Sequence, residues 1–177
     1  ENKMDIVKII FLDIDGVLNN SLESDVHLTA IVDEQYQGFY SPRCVDRLNS
    51  LVENTGAVIV LSSTWRLGLE LYQIKRLLSS MGVKAEVIGK TDYVGNNFIF
   101  RGNEIYKWIQ DNEKEYNLNE FNYKSYVILD DDTDMLMWQQ NNYVNCDPEI
   151  GMTDRVVHKA TAILNHSPCK DTGQEYK

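Results

Sequence analysis

The sequence has no apolar run near the ~18 residues that a membrane-spanning helix needs. It also shows no signal-peptide pattern, so a cytoplasmic protein with no membrane partner is expected. Cysteine is scarce: Cys44, Cys146 and Cys169 are odd in number, far apart and outside any Cys-x-x-Cys pair. This argues against a disulfide framework and structural zinc, and fits a reducing compartment. Positive charge is short too, 17 Lys and Arg against 27 Asp and Glu, for a net charge of −10. An extended nucleic-acid surface is therefore not expected, because a long polyanion track needs the opposite sign. A small phosphorylated substrate, held by a metal ion and one or two local cations, remains compatible. Repeats and low-complexity tracts are absent as well. One domain is expected over residues 1–177, with a core at about 6–164 and a flexible tail at 165–177.

What is present centres on Ile9-Ile10-Phe11-Leu12-Asp13-Ile14-Asp15-Gly16-Val17. The run from Ile6 to Leu12, broken only by Lys8, reads as a buried parallel strand. It ends in two carboxylates at i and i+2, which would share a face if the strand continued. Two acids crowded in apolar surroundings make sense if a divalent cation sits between them, or if one holds a proton. A second buried strand, Ala57 to Leu61, runs into Ser62-Ser63-Thr64-Trp65-Arg66. Hydroxyls and backbone N–H groups at such a junction can cradle an oxyanion, or can merely cap a helix. Tyr126 to Leu129 is another buried strand and ends in Asp130-Asp131-Asp132-Thr133-Asp134. Clustered acids are what a hard cation requires. An EF-hand starting at Asp130 fails, with Met135 at the glycine position and Asn141 at the final glutamate position.

Between these junctions, Asn19–Tyr40 reads as a polar loop or flap over the strand ends. Ser41-Pro42 starts a helix that closes at Gly56, with Cys44 packed inside it. Further helices are expected at about Leu67–Met81, Arg101–Tyr116, Thr133–Gln140 and Thr153–Leu164. Short strands are expected at Val83–Ile88 and Tyr143–Cys146. Trp65 packs in the core or walls the site, with the core favoured. Arg66 is divided between a substrate phosphate and surface acids such as Glu70. His158 reads as structural. In the loop before Arg101, Tyr93, Phe98 and Phe100 anchor the chain or stack on a ligand.

The Asp-x-Asp-Gly-Val motif after a hydrophobic strand resembles the first motif of the haloacid-dehalogenase (HAD) superfamily of Mg²⁺-dependent phosphohydrolases. With Ser-x-Trp-Arg at 63–66 and Arg-x-x-Glu-Ile at 101–105, the chain is similar to the HAD domains of Swiss-army-knife RNA-repair proteins. The resemblance spans roughly Ile6 to Leu164. It implies an α/β, Rossmann-like three-layer fold with a mainly parallel sheet and little or no cap domain. It implies Asp13 as a nucleophile that becomes an aspartyl phosphate and Asp15 as general acid/base. Ser62, or next Ser63, would bind the phosphoryl group, with Arg101 or Lys107 as the accompanying cation. Mg²⁺ would be held by Asp13, Asp15, Asp130 and Asp131, with Asp132 capping the following helix. The substrate would be a small phosphorylated molecule, a nucleotide or a nucleic-acid terminal phosphate. Two rivals stay open: a phosphate-binding module without turnover, and a receiver domain, whose order of acidic motifs differs. The sequence gives no signal on oligomeric state.

Overall fold

The computed structural model describes residues 7–23, 26–95, 100–118 and 125–166. Ile6, Phe98, Cys169 and the expected tail beyond 166 lie outside the described residues. In chain order the first elements are β1 (Ile9–Leu12), β2 (Leu28–Val32), β3 (Gln35–Tyr40), α1 (Pro42–Thr55) and β4 (Val58–Leu61). There follow α2 (Leu71–Ser80), β5 (Val87–Lys90), α3 (Arg101–Tyr116), β6 (Tyr126–Asp130), β7 (Tyr143–Asn145) and α4 (Asp154–Asn165).

Five strands form one sheet in the order β5-β4-β1-β6-β7, and every neighbouring pair is parallel. β1 is central because Ile9, Ile10, Phe11 and Leu12 are fully buried and need cover on both faces. Period-two alternation divides them. Ile10 and Leu12 join the core cluster that holds α1, α2 and α4 residues such as Leu48, Ile74 and Val156. Ile9 and Phe11 join the cluster of α3, where Trp108 meets Phe11 edge-on at 5.6 Å. The result is the three-layer Rossmann-like α/β arrangement, and no cap domain is evident among the described residues. From β1 the chain builds first towards β5 and then, after α3, on the opposite side. That reversal places a crevice where β1 and β6 lie side by side.

Helix α1 begins as its sequence dictates: Ser41 Oγ accepts from Cys44 N–H, Pro42 is first in the helix, and Gly56 closes it. Cys44 is fully buried and His158 exposed, as expected. Other expectations are corrected. Asn19–Tyr40 holds an antiparallel hairpin, β2 and β3, turning through Asp33 and Glu34 at φ 50 and 63. Positive φ at both turn residues is the geometry that matches strand twist in a two-residue hairpin. The second helix starts at Leu71 instead of Leu67, behind a separate 3₁₀ turn at Thr64–Arg66. Buried Arg66 donates inward to Thr91 O at 2.7 Å, which prevents residues 64–70 from continuing as a surface helix. No α-helix spans Thr133–Gln140; a 3₁₀ helix occupies Met137–Asn142. The short strand expected at Val83–Ile88 lies at Val87–Lys90.

A polar clamp ties the loop after β1 to the start of α1. Glu23 Oε1 takes Arg43 Nε at 2.5 Å, while Glu23 Oε2 takes Ser41 Oγ and Asn20 Nδ2. Arg43 also donates to Met152 O and Ile150 O, drawing in the loop before α4. Arg43, with help from Asn20, pulls the Glu23 carboxyl down to about 2. A depressed carboxyl stabilises the fold fully above its ordinary pKa and loses that contribution as pH falls towards 2. Glu23→Gln should therefore lower Tm at pH 7 by about 3 °C, on the order of 1 kcal/mol for a chain this size. The gap to wild type should close as the melts are taken from pH 5 to pH 2.5.

Candidate active site

Asp13 and Asp130 leave the carboxyl ends of β1 and β6, whose last ladder pair is Leu12 with Leu129. Asp13 N–H donates to Leu129 O at 3.0 Å, so the two strand ends remain zipped where the acids emerge. Asp13 is 5% exposed and Asp130 fully buried. One oxygen from each of Asp13, Asp130 and Asp131 lies within 4.8 Å of the others. Burial pushes the Asp130 carboxyl up to about 8, with the nearby Asp13 charge adding to it. Burial and a hydrogen bond to Asp13 push Asp131 up to about 6.

The compensating charge is Arg101, the first residue of α3. Its Nη1 lies 3.0 Å from Asp13 Oδ1 and 3.2 Å from Asp130 Oδ2. Burial alone would pull Arg101 down, but Asp130 and Asp13 outweigh it and hold the guanidinium charged. The helix start is fixed from below. Asp134 Oδ2 accepts from Arg101 N–H at 2.8 Å, and Gly102 N–H donates to Asp134 O at 3.2 Å. Lys107, the other candidate cation, is not brought to this cluster. It is exposed and pairs with Asp92 and Asp111 on its own side of α3.

Asp15 goes elsewhere. Val17 and Leu18 N–H both donate back to Ile14 O, at 3.0 and 2.8 Å, so the strand does not continue and the two motif acids diverge. Asp15 is exposed, held by Trp65 Nε1 at 3.1 Å and Asn19 Nδ2 at 2.9 Å. Its carboxylate is not in the three-acid group, so of the four acids expected to hold a metal Asp15 is the one not brought to the cluster. Gly16 sits between the two environments at φ 77, and an added Cβ would lie 2.5 Å from Asp131 Oδ2. Only glycine lets Asp131 close on this turn.

The two serines separate clearly. Ser63 Oγ accepts from Trp65 N–H and caps the 3₁₀ turn. Ser62 Oγ is buried and has no hydrogen-bond partner among the described residues. A buried unpartnered hydroxyl is costly unless something else occupies it. Arg66 pairs with neither a surface acid nor the three-acid cluster. It meets Glu104 Oε2 at 2.8 Å and donates to Ser62 O and Ser63 O, bracing the serine turn from beneath. Asp132 accepts from Thr133 N–H and so caps its own turn instead of a helix. The supporting roles of Asn19, Asp134 and Glu104 escape the sequence reading, while Trp65, expected in the core or as a wall of the site, holds Asp15. A tryptophan beside a strand end carries no mark that its N–H, and not its ring alone, is used.

Three carboxylates against one guanidinium leave the cluster short of positive charge, and all three offer hard oxygen donors. These residues fit a divalent cation such as Mg²⁺. Fold and site together define a doubly wound α/β domain with a three-acid cluster, of a kind that could hold a cation, at its switch point. The chain matches the family described as the HAD domain in Swiss Army Knife RNA repair proteins over residues 9–157, and it belongs to that family. No curated protein matches the chain.

Two outcomes follow from this geometry. Without a cation, the raised acids stabilise the fold while protonated; that contribution is full below their ordinary pKa and is lost as pH rises through about 6 and about 8. The rise in Tm given by Mg²⁺ at about the millimolar scale should therefore grow between pH 6 and pH 8. It should vanish in Asp130→Asn, as scanning calorimetry would show. Removing Arg66 leaves Glu104 buried and unpaired, so Arg66→Met should cost roughly 3–5 kcal/mol in denaturant unfolding.

Proposed function

We propose that this domain is a Mg²⁺-dependent phosphomonoesterase that works through an aspartyl phosphate on Asp13. The observation that carries the reading is the buried Asp13 carboxylate touching Arg101 in a cluster fit for a cation, with the unpartnered Ser62 hydroxyl on the neighbouring strand end. Mg²⁺, held by Asp13, Asp130 and Asp131, would supply the positive charge that offsets a phosphoryl dianion. Arg101 adds to that charge and orients Asp13. Ser62 donates its hydroxyl to a phosphoryl oxygen.

The chemistry then divides between two acids in different surroundings. Asp13 Oδ attacks phosphorus as the P–O ester bond breaks, and Asp15 gives its proton to the departing alkoxide. In the second half Asp15, now a carboxylate, takes a proton from water as that water attacks phosphorus. The Asp13–phosphorus bond breaks, and free carboxylate and inorganic phosphate result. Most of the acceleration must come from positioning and charge, since covalent catalysis only divides the barrier. Trp65 and Asn19 hold Asp15 for both proton transfers.

The family's association with RNA repair favours a nucleotide or a terminal nucleic-acid phosphate as the substrate. The net charge of −10 favours contact with one end over contact along a strand. Among the described residues no helix is long and apolar enough to cross a membrane. The test is p-nitrophenyl phosphate hydrolysis with Mg²⁺ and with EDTA. Activity should disappear with EDTA, fall at least about 10³-fold in Asp13→Asn, and fall roughly 10²-fold in Arg101→Ala. Mg²⁺ and phosphate binding without turnover of any phosphorylated ligand would instead make this a binding module.

A further inference from the structure

Beside Asp15 lies a cleft of about 350 Å³ whose lining includes none of the three clustered acids. That is within the ~300–1,000 Å³ typical of small-ligand sites. Its lining includes Asp15, Asn19 and Trp65 together with the hairpin residues Tyr36, Gln37 and Phe39. A general acid must touch the leaving oxygen, so the group attached to that oxygen extends into whatever space adjoins Asp15. This cleft is that space.

The hairpin also exposes two rings. Ile31 pairs with Tyr36 and Ala30 with Gly38, which leaves Gln37 as an extra, unpaired residue. In a regular strand positions 36 and 39 would face opposite ways; the bulge turns both outwards. Tyr36 and Phe39 are consequently 58% and 49% exposed, with ring centroids 5.5 Å apart. The other face of β3 is seated on Trp65 so closely that a Cβ at Gly38 would lie 2.3 Å from the indole Cζ2. The indole N–H of the same Trp65 holds Asp15. Rings, tryptophan and acid therefore form one connected unit. Among the described residues its lining has no Lys or Arg, and Asp15 and His27 are its titratable side chains besides the Tyr36 phenol. Such a lining suits a neutral, planar group.

We infer that this cleft is the leaving-group subsite and receives a nucleoside, its base stacked on the Tyr36–Phe39 pair. The inference rests on the phosphomonoesterase reading for its orientation, with the phosphoryl group at Asp13 and the nucleoside beyond Asp15. Exposed aromatic rings bind bases of any sequence through their faces. The source of the nucleoside, a free nucleotide or a chain end, is left to the experiment.

The experiment is calorimetric titration, in Mg²⁺, of full-length Asp13→Asn protein, which cannot turn over its ligand. Adenosine 5′-monophosphate should bind roughly tenfold more tightly than ribose 5-phosphate, which lacks the base. Tyr36→Ala with Phe39→Ala should erase that difference and leave ribose 5-phosphate unchanged, whereas Tyr36→Phe should keep it. Equal affinity of the two ligands, or a parallel loss of both in the double variant, would overturn the inference. Affinity for a 5′-phosphorylated dinucleotide at or above that for the mononucleotide would support a chain end, and weaker binding would support a free nucleotide. Wild-type turnover of acetyl phosphate, whose leaving group has no ring, is scored separately. Base-dependent binding without turnover would remove the phosphatase reading and keep the subsite. Turnover without base-dependent binding would remove the subsite alone.

Discussion

Two buried carboxylates on adjacent parallel strands would repel each other strongly were it not for the single guanidinium that touches both. Asp13 and Asp130 have little water to screen them, and Arg101 Nη1 lies within 3.2 Å of each. The guanidinium does not neutralise the site completely, because Asp131 adds a third acid. What remains is a negative cluster of hard oxygen donors, held open by the fold. Much of the surrounding structure can be read as support for that one contact. Asp134 fixes the first turn of α3, Gly102 O accepts from Gln139 Nε2 at 2.9 Å, and the loop after β6 is thereby locked against the helix that delivers Arg101.

The second organising feature is the divergence of two acids that are only two residues apart. Asp13 stays in the buried charge cluster, while the turn at Ile14 sends Asp15 to the surface, into the hands of Trp65 and Asn19. Different surroundings are what allow two like groups to take different roles. The hairpin depends on this separation as well, since Asn19 joins Asp15 to Phe39 O at 2.9 Å and Gly38 rests on Trp65. The buried acid cluster and the surroundings of Asp15 are thus divided by the short turn at 14–18.

The parts legible in the sequence were those governed by strong local signals. The apolar runs at Ile9–Leu12 and Tyr126–Leu129 mark the two central strands, and the acids following them fall at the switch point. Ser41, Pro42 and Gly56 bracket α1, and Thr153 caps α4. The hairpin was hidden because its turn is Asp33-Glu34 instead of Asn-Gly, and because Leu28 and Ile31 are exposed, which blurs the alternation. A bulge at Gln37 breaks the period further. Arg101 and Lys107 could not be separated because both begin or line one helix; only the register of α3 against β6 shows which one turns inwards. Arg66 and Glu104 were invisible as partners, being distant in sequence and joined only by burial.

The claim at the centre of the account is that Asp13 is the atom donor that attacks phosphorus. It is tested most directly by trapping. Asp15→Asn protein, incubated with Mg²⁺ and acetyl phosphate, should accumulate the acyl phosphate because water is no longer deprotonated. Borohydride reduction converts a phosphorylated aspartate to homoserine, which peptide mass spectrometry can locate. The account predicts homoserine at position 13 and at no other aspartate. Homoserine at position 130 or 131, or phosphate release with no reducible intermediate under any quench time, would contradict it.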